Sequence, residues 1–124
     1  MQHSPGFLQL VQVAKRTIRE TTVPVIAERL ERGDTFHFVD VREDDEWRGG
    51  YARGAIHLGK GIIERDIETK LPDKSDEIVL YCGGGFRSAL AAEALTKLGY
   101  TNVSSMDGGM RAWRAAGLPE DTDS

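Results

Sequence analysis

The chain has 124 residues, 40% of them apolar and 29% charged, and a formal net charge of −4. This length and apolar content suit one domain with its own core. The acidic balance argues against a nucleic-acid or anionic-membrane partner, and no apolar run reaches the ~18 residues of a membrane span.

A single cysteine excludes an internal disulfide, a Cys-x-x-Cys redox pair and a cysteine-based zinc site, and His3, His37 and His57 lack metal-ligand spacing. No metal site is expected. The first residues lack the basic and apolar regions of a signal peptide, so a soluble, cytoplasmic protein is expected.

Taken in order, Ser4-Pro5 supplies an N-cap and a first-turn proline, and Phe7, Leu8, Val11, Ala14 and Ile18 then share one helical face. Residues 1–22 read as a helical extension packed on a core domain of residues 23–119. Thr21-Thr22-Val23 is a strand or an extended entry to a second helix, which begins near Pro24 and stops at Gly33. Residues 36–41 form an apolar run suited to a strand buried on both faces, and it ends in the charged stretch 42–46. Trp47 is expected to anchor a turn of helix there against the core. A glycine-rich link, 49–54, leads to a short strand at 55–58 and then to Gly59-Lys60-Gly61. Lys60 is either part of a plain surface turn or an ammonium aimed at an anion. Ile62, Ile63 and Ile67 suggest a short helix or irregular segment closed by Leu71-Pro72-Asp73.

Residues 78–88 are the centre of the pattern: Ile-Val-Leu-Tyr-Cys-Gly-Gly-Gly-Phe-Arg-Ser. This is a buried strand, a tight loop and a helix N-terminus. Gly83, Gly84 and Gly85 let successive backbone N–H groups curl around the Cys82 sulfur, at the positive end of a helix, where an anion is stabilised. Leu90, Ala91, Ala94, Leu95 and Leu98 make the stripe of that helix, which ends at Gly99. Residues 101–106 read as a strand, Asp107-Gly108-Gly109 as its turn, and 110–116 as a last helix with Trp113 facing the core. Gly117-Leu118-Pro119 has the composition of a Schellman stop, and 120–124 are expected to form a mobile tail.

Strands alternating with helices predict an α/β fold with a parallel sheet covered on both faces. Ligands of such sheets bind beyond the carboxyl ends of the strands. That rule gathers Arg42, Lys60, Cys82 and Asp107-Gly108 on one rim and points to a small anionic substrate. Among the histidines only His57 is placed to act as a base, and activation of Cys82 by backbone and dipole is the simpler account.

Asp40-Val41-Arg42-Glu43, Trp47 and Gly54-Ala55, then the loop from Cys82 to Arg87-Ser88, then Asn102-Val103, Gly108-Gly109, Trp113 and Gly117-Leu118-Pro119 resemble three ordered signatures of the rhodanese sulfurtransferases in their single-domain form. The resemblance implies the rhodanese fold and a reaction in two halves that requires no cofactor. Cys82 takes the sulfane sulfur of thiosulfate or a low-molecular-weight persulfide, and the resulting persulfide is held by the backbone of Gly83, Gly84, Gly85, Phe86, Arg87 and Ser88. The sulfur then passes to cyanide, a thiol or a partner protein. Arg42 and Lys60 are expected to help bind the anionic donor. Arg87 either forks onto substrate oxygens or braces the loop against Asp40 or Glu43, with bracing preferred, and Ser88 either touches the sulfur or caps the helix, with the cap preferred. Many relatives carry histidine where this chain has Tyr51, and so bare a loop suits a persulfide from a larger molecule.

Phosphatases and arsenate reductases of the same fold have five residues between cysteine and arginine; here there are four, Gly83 to Phe86. A non-catalytic binding module or thiol redox sensor is the alternative of a different class. A phosphate-binding nucleotide loop is excluded, since its lysine and following hydroxyl are absent.

Overall fold

A computed structural model describes residues 3–123. The Ser4 hydroxyl accepts from Phe7 N at 3.4 Å and Pro5 fills the first turn of α1 (Pro5–Lys15). This helix buries Val11 and Ala14, as its periodicity predicts, whereas Leu8 stands on the solvent side with Leu10 and Val13. Next come β1 (Arg19–Thr22) and α2 (Val23–Arg32); Thr22 caps α2 by accepting from Val25 N at 3.4 Å, and Gly33 ends it. The chain continues through β2 (His37–Asp40), α3 (Asp44–Arg48), β3 (Tyr51–Ala52), β4 (Ile56–His57), α4 (Lys60–Lys70), β5 (Ile78–Tyr81), α5 (Phe86–Lys97), β6 (Val103–Asp107), α6 (Gly109–Ala115) and β7 (Glu120–Asp121). The isoleucine-rich segment read as either helix or irregular is thus the eleven-residue α4.

Five strands form one parallel sheet in the order β1-β6-β5-β2-β4. The central strand, β5, is buried at every residue because helices cover both faces. Successive side chains alternate between those faces. Ile78 and Leu80 pack with Ile63 and Ile67 of α4 and Ala91, Ala92 and Leu95 of α5. Val79 and Tyr81 pack with Phe38, Ile26 of α2, Met106, and Met110 and Trp113 of α6. Tyr81 spends its hydroxyl as the acceptor for Ala52 N at 3.0 Å, and burial pushes its ionisation well above the ordinary phenol range. The sheet therefore delivers Cys82, the residue after β5, to the carboxyl edge of the most protected strand.

Three expectations change. The extension 1–22 contributes more than a helix: β1 pairs Arg19–Thr22 with residues 104–107 and forms one edge of the main sheet, while α1 lies against α5. Of that extension, residues 1 and 2 lie outside the described residues. Trp47 does not anchor α3 in the core, since α3 has no buried residue; its ring stacks on Tyr51 with centroids 3.6 Å apart and on His57 at 4.9 Å. The stretch expected as a mobile tail is tied down instead. Tyr51 and Ala52 pair antiparallel with Asp121 and Glu120, and the Asp123 carboxylate accepts from Trp47 Nε1 at 2.8 Å and from the Tyr51 hydroxyl at 2.6 Å. Acidic residues that composition assigns to solvent find backbone and aromatic partners here. Residue 124 lies outside the described residues.

Removing residues 120–124 deletes β7 and both bonds to Asp123. The melting temperature is expected to fall by roughly 3–6 °C, the shift that about 1 kcal/mol produces in a domain of this size. Circular dichroism melts of the truncated and full chains make the comparison, and equal midpoints would show that the strand contributes nothing.

Candidate active site

α5 begins without a capping side chain. Its N-cap is Gly85, with φ 106°, a conformation that favours glycine, and the first-turn N–H groups need acceptors. The Cys82 sulfur takes the vacant role: Sγ accepts from Gly85 N at 3.1 Å and from Ser88 N at 3.4 Å. The thiol in turn donates to the Ser88 hydroxyl at 3.5 Å, and that hydroxyl is 2.8 Å from Ser105 Oγ on β6, with both serines buried. Ser88 is thus a contact of the sulfur rather than the helix cap, which is Gly85. Among the described residues, the N–H groups of Gly83, Gly84, Phe86 and Arg87 donate to no protein acceptor. Together with the aligned dipoles of a twelve-residue helix, these donors make the loop a site for added negative charge beside the sulfur.

Two braces hold the loop. On one side Arg87 reaches across to α3, with Nη1 to Glu46 Oε1 at 2.6 Å and Nη2 to Oε2 at 3.1 Å. Glu46 Oε1 also accepts from Glu43 N at 3.0 Å, which fixes the carboxylate on its own helix. The hydrogen bonds from Arg87 hold the Glu46 carboxyl down at about 2, and Glu46 raises the Arg87 guanidinium in return. Bracing is therefore the role of Arg87, but the partner is Glu46 and neither Asp40 nor Glu43. On the other side, Met110 N donates to Cys82 O at 2.8 Å and Arg111 N to Gly83 O at 3.0 Å. Gly109, at φ 51°, permits that approach, because a Cβ there would overlap the Cys82 carbonyl oxygen.

The rim expected from strand order is only partly assembled at the sulfur. Arg42 is 3% exposed and held on its own segment: its backbone N and Nε donate to Asp40 Oδ1 at 2.9 and 3.0 Å, and Nη2 donates to Asp40 Oδ2 at 2.7 Å and to Gly50 O at 2.8 Å. Asp40 thus braces the segment between β2 and β3, not the Cys82 loop, and Arg42 lines the neighbouring groove rather than the Cys82 cleft. Lys60 opens α4, its backbone N bonded to Val41 O at 2.9 Å, and does not line the Cys82 cleft. His57 donates through Nε2 to Arg42 O at 2.8 Å, stacks on Trp47 and lines a neighbouring acidic groove, so it is no base for Cys82. Asp107 ends β6 beside Gly85 and receives Lys15 Nζ at 3.4 Å.

Cys82 instead opens into a cleft of about 510 Å³ lined by Gly83, Gly84, Phe86 and Arg87 of its own loop, by Glu46, by Arg111, and by His3 and Phe7 from the N-terminal segment. Glu46, Ser105, Gly109, Arg111, His3 and Phe7 are not found by reading the sequence. Glu46 and Arg111 had a usable signal, since each lies a few residues beyond a strand end already placed on the rim. Nothing local marks His3 or Phe7. No three His, Cys, Asp or Glu side chains among the described residues converge to hold a metal ion, and no helix among them is long and apolar enough to cross a membrane.

The rhodanese-like domain profile matches residues 22–116. A Bacillus subtilis protein, YtwF, is 33% identical over 103 residues, covering 83% of this chain and 97% of that one. The thiosulfate sulfurtransferase PspE of Escherichia coli is 35% identical over 72 residues, covering 58% and 69%. Among solved structures, the Rhodopseudomonas palustris protein RPA3614, described as of unknown function and a possible tyrosine phosphatase, superposes with a TM-score of 0.82 at 27% identity, covering 98% of each chain.

Two outcomes are expected from the braces. Gly109→Ala forces the start of α6 off the loop carbonyls and should reduce Cys82 reactivity by roughly 100-fold, the order of loss that a displacement near 1 Å brings; alkylation rates with a thiol reagent measure it, and an unchanged rate would contradict the brace. Because Glu46 titrates near 2 when folded and at an ordinary 4.5 when free, the clamp stabilises the fold fully above pH 4.5 and is lost as pH falls towards 2. The difference in melting temperature between the wild type and Glu46→Gln should be constant from neutral pH to about 5.5 and close between about 4.5 and 2.

Proposed function

The chain belongs to the rhodanese-like domain family, and from that membership we propose that it is a sulfurtransferase with Cys82 as its nucleophile and sulfur carrier. The observation that carries the reading is the sulfur acting as acceptor at the start of α5, with the N–H groups of Gly83, Gly84, Phe86 and Arg87 unspent around it. In the first half reaction the Cys82 thiolate attacks the outer sulfur of a small anionic donor. The donor's S–S bond breaks as the Cys82 S–S bond forms, and sulfite leaves from thiosulfate or a thiolate from a persulfide. The terminal sulfur of the new persulfide, to which the negative charge has moved from Sγ, is the ligand for the unspent donors and the helix dipole. In the second half reaction cyanide, a thiol or a partner protein attacks that terminal sulfur, and the Cys82 thiolate is regenerated. Covalent storage of the group between two substrates gives ping-pong order. The steps balance in electrons and need no metal or cofactor.

The name of PspE supports thiosulfate as one donor. The phosphatase description of RPA3614 prompts the obvious alternative. Four residues separate Cys82 from Arg87 where those enzymes have five, and both terminal nitrogens of Arg87 are bonded to Glu46. A tetrahedral phosphate would find neither the wider loop nor the free guanidinium fork that binds its oxygens. Sulfur transfer, which needs room for one added atom, fits better.

Intact-protein mass after mixing with thiosulfate and then with cyanide tests the proposal. A gain of one sulfur, about 32 Da, that cyanide removes and that Cys82→Ser abolishes is expected, with the turnover of that variant down by more than about 1,000-fold. Absence of the adduct with both thiosulfate and glutathione persulfide would overturn the catalytic reading, and hydrolysis of a phosphate ester at Cys82 would replace it.

A further inference from the structure

His3 and Phe7 precede the segment that matches the family, residues 22–116, yet both line the Cys82 cleft. With Phe86 they form an aromatic wall. The His3 ring meets Phe86 edge-on with centroids 4.9 Å apart and tilts against Phe7 at 5.2 Å, and Phe7 lies 6.3 Å from Phe86. At the other end of α1, Lys15 Nζ sits 5.8 Å above the Phe86 ring and pairs with Glu20 at 3.0 Å and Asp107 at 3.4 Å. The helix is thereby pinned over the start of α5.

The same cleft contains Arg111. Its residue is exposed, and among the described residues its guanidinium meets no carboxylate or carbonyl, in contrast to Arg42 and Arg87. Nη1 comes within 3.8 Å of where a side chain on Gly84 would begin, so the charge stands over the loop. A volume of about 510 Å³ is in the range of sites for small organic ligands, and an inorganic anion has no use for an aromatic wall.

We propose that the sulfur donor is an organic persulfide bearing a carboxylate, with its hydrocarbon body against His3, Phe7 and Phe86 and its carboxylate on Arg111. His3, Phe7 and Arg111 then determine specificity, and the extension outside the family match selects the donor. The step is the one given above: the Cys82 thiolate attacks the terminal sulfur, the donor's S–S bond breaks, and its carbon-bound sulfur departs as a thiolate with the electron pair. The proton of the terminal sulfur travels with it and is then released to solvent or to the departing thiolate, which leaves the anionic Cys82 persulfide in the loop, and no oxidant or reductant is consumed. The inference rests on the sulfurtransferase reading, and its test separates the two.

Loading of Cys82 is followed by intact mass with three donors: glutathione persulfide, which has carboxylates, cysteamine persulfide, which has none, and thiosulfate. Arg111→Ala is expected to slow loading from glutathione persulfide roughly tenfold, as loss of a charge-assisted pair does, and to leave cysteamine persulfide within about twofold. The double variant His3→Ala/Phe7→Ala is expected to slow both organic donors and spare thiosulfate. Equal effects on all three donors, or none, would overturn the donor assignment, provided melting temperatures show the variants folded. A second measurement avoids transfer altogether: S-methylglutathione should bind Cys82→Ser, and binding that ignores Arg111→Ala would again overturn the assignment. If the wild type takes sulfur from no donor, the sulfurtransferase reading fails and the donor assignment fails with it; if it loads from thiosulfate alone, only the donor assignment fails.

Discussion

Met110 and Arg111 donate their backbone N–H groups to the carbonyls of Cys82 and Gly83, an approach that a side chain at 109 would block. In a trans peptide the carbonyl and the following N–H point in opposite directions. Holding the Cys82 and Gly83 carbonyls against α6 therefore turns the N–H groups of Gly83 and Gly84 away from it. The orientation of the cradle is set from outside the cradle. A run of three glycines has little conformational preference of its own, and the order that α6 and the Arg87–Glu46 clamp impose substitutes for the side chains the loop lacks.

Three arginines stand near this edge of the sheet, and their surroundings separate their roles. Arg42 is buried with Asp40, an arrangement that organises the neighbouring segment and leaves no net charge to offer. Arg87 is half-buried and shared with Glu46 in a bidentate pair that costs it both terminal nitrogens. Of these three, only Arg111 keeps its guanidinium free of hydrogen bonds and ion pairs among the described residues. Which arginine has donors to spare at this site is thus a matter of hydrogen-bond accounting rather than of proximity, since the arginine nearest in sequence to the cysteine is committed to holding the loop.

The fold was legible because its determinants are local. The apolar runs at β2 and β5, the cap signals at Ser4 and Gly33 and the glycines after Cys82 each act within a few residues of where they stand, and the alternation of strand and helix then restricts the topology. The cysteine and its loop were legible for the same reason. What the sequence concealed depends on pairings between distant segments. Glu46 is one turn beyond Glu43, and only the placement of α3 within reach of the Arg87 side chain selects it. The acidic stretch after Pro119 looks solvated until Tyr51, Ala52 and Trp47 are brought beside it. Strand order placed Arg42 and Lys60 at the right edge of the sheet, but not where their side chains point or what they are already bonded to.

The sheet order has a consequence for how the protein is made. β1, at residues 19–22, has β6, at residues 103–107, as its strand partner, and α1 rests on α5. During synthesis the N-terminal segment emerges first, but its place in the sheet does not exist until more than eighty further residues have left the ribosome. Closing so long a loop is a late and slow kind of contact. The wall that His3 and Phe7 contribute to the cleft is accordingly among the last features to form, so a nascent or partly unfolded chain presents the cysteine loop, once assembled, without its aromatic wall.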